Sequence, residues 1–300
     1  MNATPPSARS AARRCAQAVN ALHSLPYFTT DLADRLAPFG VTDQSSVYMA
    51  GRASPLGAVD APVVTALFHA FAPGFVAERV PAIWRHVSPE HAIAAREAAA
   101  GAALERLLGT DVIRSAAMAE AAELAGVAAA GCPLPGRPLH AANAALDRPE
   151  EPHIALWHAA TMLREYRGDG HVAILGHAEL TGVEALVIDC ASEHGMPKEI
   201  VRPMRGWTET DWAAAQERLR ERGLVSREGT LTARGAALRD EVERETGRLD
   251  RRPYELLGAS GVGKLAERVH GWVRTAAESH AFPPPLRTFF APDTRQWNRL

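Results

Sequence analysis

The 300-residue chain has no apolar run approaching the ~20 residues that a membrane span needs, and no excess of either charge. Lys and Arg number 33 and Asp and Glu 35, a formal net charge of -2, with a pI near 6.6 and a mean hydropathy of -0.14. That balance speaks against a surface dedicated to nucleic acid or to anionic membrane, which would need a basic excess. Cysteine is scarce. Cys15, Cys132 and Cys190 form no CxxC pair, and an odd count fits a reducing cytoplasm better than a disulfide scaffold. The start, MNATPPSARSAARR, lacks the apolar stretch of a signal peptide, so a cytoplasmic protein is expected. No GxSxG nucleophile turn is present. Gly258 to Lys264 does fit GxxxxGK, but Leu265 stands where a phosphate loop needs Ser or Thr for its metal. No apolar strand precedes that segment, which reads instead as a connection between two helices.

Alanine is abundant, and alanine is the best helix former. The segment 88–108 illustrates the pattern: Ser88 as N-cap, Pro89 at N1, Glu90 in the first turn and Gly109 as stop. Ile93, Ala94, Glu97, Ala100 and Leu104 then recur at helical spacing. The same reasoning predicts helices over 7–24, 61–71, 113–130, 152–166, 182–194, 197–205, 208–222 and 232–257. Only 224–231 reads as strand. Linkers are expected at 132–138, which holds Pro133, Pro135 and Pro138, and in an extended, mobile tail from Phe282 through Pro283, Pro284 and Pro285.

The chain rhymes with itself. Gly51 to Gly57 precedes the apolar run Val63 to Leu67, as Gly170 to Gly176 precedes Gly182 to Leu186. Trp84 with Ser88 and Trp207 with Thr208 then each open an Ala-rich helix. A tandem duplication of two helical halves is therefore expected, divided as an N-terminal half over 1–131, a C-terminal half over 139–257 and a terminal helix and tail over 258–300.

Within the second half, Gly206-Trp207-Thr208 opens a helix through Trp212, Leu219 and Arg222. Gly223-Leu224-Val225, Ser226-Arg227-Glu228-Gly229 and Thr230-Leu231-Thr232 then lead directly into a further helix. This run resembles the recognition helix, β-wing and following helix of MarR-type winged-helix proteins over 182–257, and Glu228-Gly229 suits a tight hairpin. The whole chain resembles an actinobacterial family of helical proteins with a MarR-like C-terminal half; the segments YMAGRASPLG and PHIALWHAATMLREYRGDGHVA carry that likeness. The resemblance implies an all-α fold with a small β-wing and winged-helix-like halves. The MarR-type likeness alone would imply a regulator that dimerises through its terminal helices and reads DNA in the major groove; the likeness of the whole chain implies no role. The residues argue against specific DNA reading. The start of the reading helix, Thr208-Glu209-Thr210-Asp211-Trp212, carries two carboxylates that repel phosphate, and the wing offers Arg227 beside Glu228.

Chemistry concentrates elsewhere. Five of twelve histidines fall between His140 and His177, with Trp157, Arg164, Arg167 and Asp169. His158, Thr161 and Arg164 or Glu165 share one helix face by spacing, and His153, Trp157 and Arg164 the adjoining one. The helix is expected to stop at Arg167-Gly168-Asp169-Gly170, a loop delivering His171. Asp169 would orient His171 for acid–base work, with His158 as a second proton-transfer group or a metal or haem ligand. Arg52 and Arg164 would clamp a carboxylate or phosphate, with Tyr48, His69 and Trp157 lining the cleft between halves. No zinc-ligand spacing, HxH, HxxxH or HExxH, occurs among these histidines, so the cofactor is left open between haem, a single metal ion and none. The plainer reading makes Trp157 core and Arg167 a helix cap. The function expected is small-molecule binding, by an enzyme of open reaction class or by a sensor, with a ligand-responsive MarR-like regulator as the alternative.

Overall fold

The computed structural model describes residues 8–192 and 195–292. Its regular elements, among the described residues, are all helical: α1 (Ala8–Phe28), α2 (Asp31–Leu36), α3 (Gln44–Ala53), α4 (Ala61–Leu67), α5 (Pro73–His86), α6 (Pro89–Leu108), α7 (Thr110–Ile113), α8 (Ala116–Ala130), α9 (Pro138–Ala144), α10 (Pro152–His177), α11 (Gly182–Cys190), α12 (Lys198–Met204), α13 (Glu209–Glu221), α14 (Ala233–Leu249), α15 (Arg252–Glu278) and α16 (Arg287–Phe290). Start signals in the sequence act as they should. Ser88, Ser115 and Thr232 accept backbone N–H groups at the starts of α6, α8 and α14. Thr181 and Thr208 form capping boxes with Glu184 and Asp211.

Three apolar cores hold these helices. The first joins α1, α6, α8, α10 and α15, where alanines such as Ala18, Ala100, Ala121, Ala125, Ala160 and Ala276 let backbones approach closely. The second sits under α2 to α6 around Leu32, Leu36, Met49, Val64 and Phe68. The third joins α11 to α14, closed over Trp212, Leu219 and Leu224. The first core draws on all three stretches that the sequence divides at 131–139 and 257–258.

Several expectations are corrected. The helix predicted over 152–166 continues through Gly168, Asp169 and Gly170 to His177. Gly170 is there for a neighbour, since a Cβ on it would overlap the Arg137 guanidinium, whose Nη1 donates to the Tyr166 carbonyl at 2.7 Å. Gly51 to Gly57 is instead a helix end and a 3₁₀ turn, so the paired segments differ in conformation and the structure gives the duplication no support. The region 224–231 holds no strand but one antiparallel bridge, Val225 to Leu231. Ser226 N–H reaches Thr230 O at 2.8 Å, and the Ser226 hydroxyl bonds Thr230 and the Glu228 N–H. The Thr230 N–H, which a longer ladder would use, turns to the Ser226 hydroxyl instead.

Residues 232–257 divide into α14 and the start of α15, and the GxxxxGK segment lies inside α15 with one kink at Gly258 (φ 62°, ψ 172°). The tail is not extended: Pro284–Leu286 is a 3₁₀ turn and Arg287–Phe290 a helix. Phe282 stacks on Phe290 at 4.8 Å, and both rings meet Phe28. The first residue of the helix expected over 7–24 and the last two of that over 182–194 lie outside the described residues.

Candidate functional site

Asp43 caps α3 by accepting from the N–H groups of Ser45 and Ser46, and α3 carries Tyr48 and Arg52 one turn apart toward α10. There Arg52 Nε and Nη2 donate to Glu165 Oε1 and Oε2 at 2.8 and 3.0 Å, a bidentate fork. Arg164 Nη1 donates to the same Oε2 at 2.7 Å. Glu165 is 1% exposed. Burial alone would raise its carboxyl, but Arg164 and Arg52 outweigh burial and hold it well below the usual carboxylate range. The Arg52 guanidinium also lies 4.2 Å from the centre of the Phe68 ring and donates to the Tyr48 hydroxyl at 3.3 Å.

The helix-turn-helix formed by α12 and α13 supplies a wall that sequence reasoning missed. Its turn, residues 205–208, is fastened to residues 69–75 of the N-terminal region. Ala72 N–H donates to Arg205 O at 2.9 Å, Trp207 Nε1 donates to Ala70 O at 2.8 Å, and Phe75 packs directly against Gly206. His69 Nε2 donates to Leu180 O at 3.0 Å just before α11. Gly182 sits so tightly under the His69 carbonyl that a Cβ there would overlap it. This docking brings the Arg205 guanidinium 4.4 Å from the Phe71 ring and 5.8 Å from the Tyr48 ring. Arg205 Nε is buried with no hydrogen-bond partner, and among the described residues no carboxylate lies within ion-pair distance of it. Burial raises the Tyr48 phenol, yet the charges of Arg52, Arg205 and Arg164 bring it down to about 8. The only sequence signal for Arg205 was its place as a cation at a helix end.

The structure brings Arg52, Arg164 and Tyr48 together, while the other predicted residues bond different partners or none. Asp169 does not orient His171, because residues two apart on a continuous helix point away from each other. Asp169 Oδ2 accepts from the His140 N–H at 3.0 Å, satisfying an orphan donor at the start of α9, and burial raises its carboxyl to about 6. His171 bonds Thr246 at 2.9 Å. Because the Thr246 hydroxyl proton goes to Val242 O, His171 donates from Nδ1 and keeps a lone pair at Nε2. Burial lowers His171 to about 4. His158 is buried, with Nδ1 unpartnered, and is lowered to about 4 by burial and then by Arg96 and Arg148. Trp157 is fully buried and donates to His23 O; it is core. Among the described residues no three His, Cys, Asp or Glu side chains converge as metal ligands.

The exposed face of the helix-turn-helix is largely charge-paired. Glu209 meets Lys198 at 3.2 Å and Arg202 at 2.8 Å, Arg218 meets Glu184 at 2.8 Å, and Arg220 pairs with Glu217. Arg222 donates to the carbonyls of Glu179 and Ala178. A shallow depression beside it, lined by Arg222, Leu224, Arg234, Ala237, Leu238 and Glu241, contains none of the predicted site residues. No described helix is by itself long and apolar enough to cross a membrane. The profile of a helix-turn-helix family matches residues 12–283. No curated protein and no solved structure gives a significant match.

Proposed function

The chain belongs to this helix-turn-helix family, and from that premise we propose that it is a small-molecule-binding member whose helix-turn-helix serves as a wall of the binding site rather than as a DNA reader. One observation carries the reading: the turn that leads into α13 is fastened to residues 69–75 by Ala72, Trp207 and Phe75, so α12 and α13 are built into the body of the protein. The same docking assembles Arg52, Arg164, Tyr48 and Arg205 from three separate stretches of chain. Charge supports it, because the basic groups flanking α13 already hold carboxylates or carbonyls, while α13 opens on Glu209 and Asp211. His171, with Nε2 free to accept a proton, and His69 lie at the edge of this cluster as second-rank participants. His158 faces Arg96 and Arg148 instead, and Asp169, one turn along α10 from Glu165, is held by the His140 N–H.

The alternative, a ligand-responsive regulator with MarR-like wing and cytoplasmic residence, draws on family membership and on Arg227, which stays exposed on the hairpin. A homodimer through the terminal helices would compete with α1 and α15, which pack on each other within one chain. Electrophoretic mobility shifts at low salt, with random duplexes and the chain's own upstream DNA, test the proposal. Weak, sequence-independent retention or none is expected; a tight sequence-dependent shift overturns it. An absorbance spectrum and metal assay of the purified protein decide whether haem or a metal ion takes part.

A further inference from the structure

The cluster around Glu165 does not balance its charge. Arg52, Arg164 and Arg205 bring three positive charges to Glu165, while Asp169, one turn along α10, is bonded to the His140 N–H and is raised by burial, so it offsets little of them. A fourth guanidinium, Arg96, is buried close by and spends itself on Gly51 O and Asn143 Oδ1. Two of the three are accounted for, since Arg52 forks onto Glu165 and Arg164 bonds its second oxygen. Arg205 is different. It is half-buried against Phe71 and Tyr48; burial disfavours its charged form, the Tyr48 hydroxyl beside it favours that form, and the neighbouring Arg52 and Arg164 oppose it, so the net shift is downward with no carboxylate among the described residues to offset it. Guanidinium stays protonated under such conditions, so the charge persists and favours a counter-ion. The cluster is sealed at the Arg52–Glu165 pair and reaches solvent where Arg164 is 23% exposed, with Tyr48 and Arg205 half-buried beside it.

Resting on the small-molecule reading above, we propose that this open side takes an oxyanion, a carboxylate or phosphate group of the ligand, with Arg205 as its principal partner and Arg164 and the Tyr48 hydroxyl flanking it. The planar fork of Arg205 suits two oxygens at once. The apolar rings of Phe71 and Tyr48 lower the local dielectric and strengthen the attraction. The clamp expected of Arg52 and Arg164 thus passes to Arg205, because Glu165 already occupies the fork of Arg52 and bonds Arg164.

Thermal unfolding of the full chain tests this, with sodium phosphate or sodium acetate titrated against sodium chloride at constant ionic strength. A saturable rise in Tm of about 3 °C or more over chloride is expected with at least one anion. Response to phosphate alone assigns a phosphate-bearing ligand, and response to both assigns oxyanions generally. Arg205→Gln abolishes the rise and Arg205→Lys, which keeps the charge and loses the fork, reduces it. If circular dichroism shows Arg205→Gln unfolded, Arg164→Gln is read in its place and weakens the response. No rise above chloride, or an undiminished rise in the folded variants, overturns the proposal. That failure leaves the small-molecule reading standing unless the mobility-shift assay also shows sequence-dependent binding.

Discussion

At the scale of single residues, Glu165 shows how one carboxylate organises a site. Replacing it with Gln keeps the shape and removes the charge that Arg52 and Arg164 share. Breaking a buried pair from one side leaves an uncompensated guanidinium, so Glu165→Gln is expected to cost about 3 kcal/mol in urea unfolding. A loss under about 0.5 kcal/mol would mean that the pair contributes nothing net. Asp250 offers the opposite case. It is 4% exposed, its Oδ1 has no partner, and Arg167 stands 3.9 Å away while bonding Glu243 more closely at 2.9 Å. Burial raises its carboxyl to about 7 against Arg167 and Arg137. A carboxyl raised in the folded state is favourable when protonated, so its contribution is complete below the ordinary value near 3.8 and is lost as pH climbs to about 7. Asp250→Asn is therefore expected to stabilise the protein by about 2 kcal/mol at pH 8 and to change little at pH 4. Denaturant curves at the two pH values check the sign, and equal effects at both would refute the cause.

At the scale of elements, the clearest prediction concerns Gly182. The residue opens α11 at N1, where alanine is ordinarily the better helix former, but its missing Cβ lets the His69 carbonyl seat against the helix start. Gly182→Ala must push residues 69–70 away from α11 and loosen the Trp207 bond to Ala70 with them. A net loss of about 2 kcal/mol is expected, with faster amide exchange at 70–72 and 205–207. Unchanged exchange there would show that the clamp is not stressed.

The same physics explains what the sequence made legible. Caps and proline starts are local chemistry, so the starts of α6 and α13 were readable from Ser88 and Thr208. Gly168 and Gly170 also looked local, as a helix stop, but Gly170 answers to Arg137, a neighbour 33 positions away in the sequence. The pairing of Arg52 with Glu165 across 113 positions and the seating of Arg205 on Phe71 are tertiary facts with no local signature. Arg52, Arg164 and Tyr48 could be picked by type, while their partners could not.

At the scale of the whole molecule, the question is whether the stretches the sequence divides behave as separate units. The first core answers it, because α1, α8, α10, α15 and the tail all bury side chains there. Phe28 near the chain start packs against Phe282 and Phe290 near its end. Leu286 is buried in the same core at 1% exposure. Cutting the chain after Ala281 removes all three tail residues and exposes Phe28. Each buried aromatic or leucine lost costs about 2–5 kcal/mol, against a total stability of about 5–15 kcal/mol for a folded protein. Such a truncation is therefore expected to abolish cooperative unfolding or to lower the Tm by more than about 10 °C. The intact chain should lose tryptophan fluorescence and helical ellipticity in one coincident urea transition. The six tryptophans include Trp157 in the first core and Trp212 in the third. If the helix-turn-helix unit were independent, the two signals would part and the truncation would melt only one of them. Coincidence would mean that the arginine cluster, built from α3, α10 and the turn after α12, exists only while the whole chain is folded.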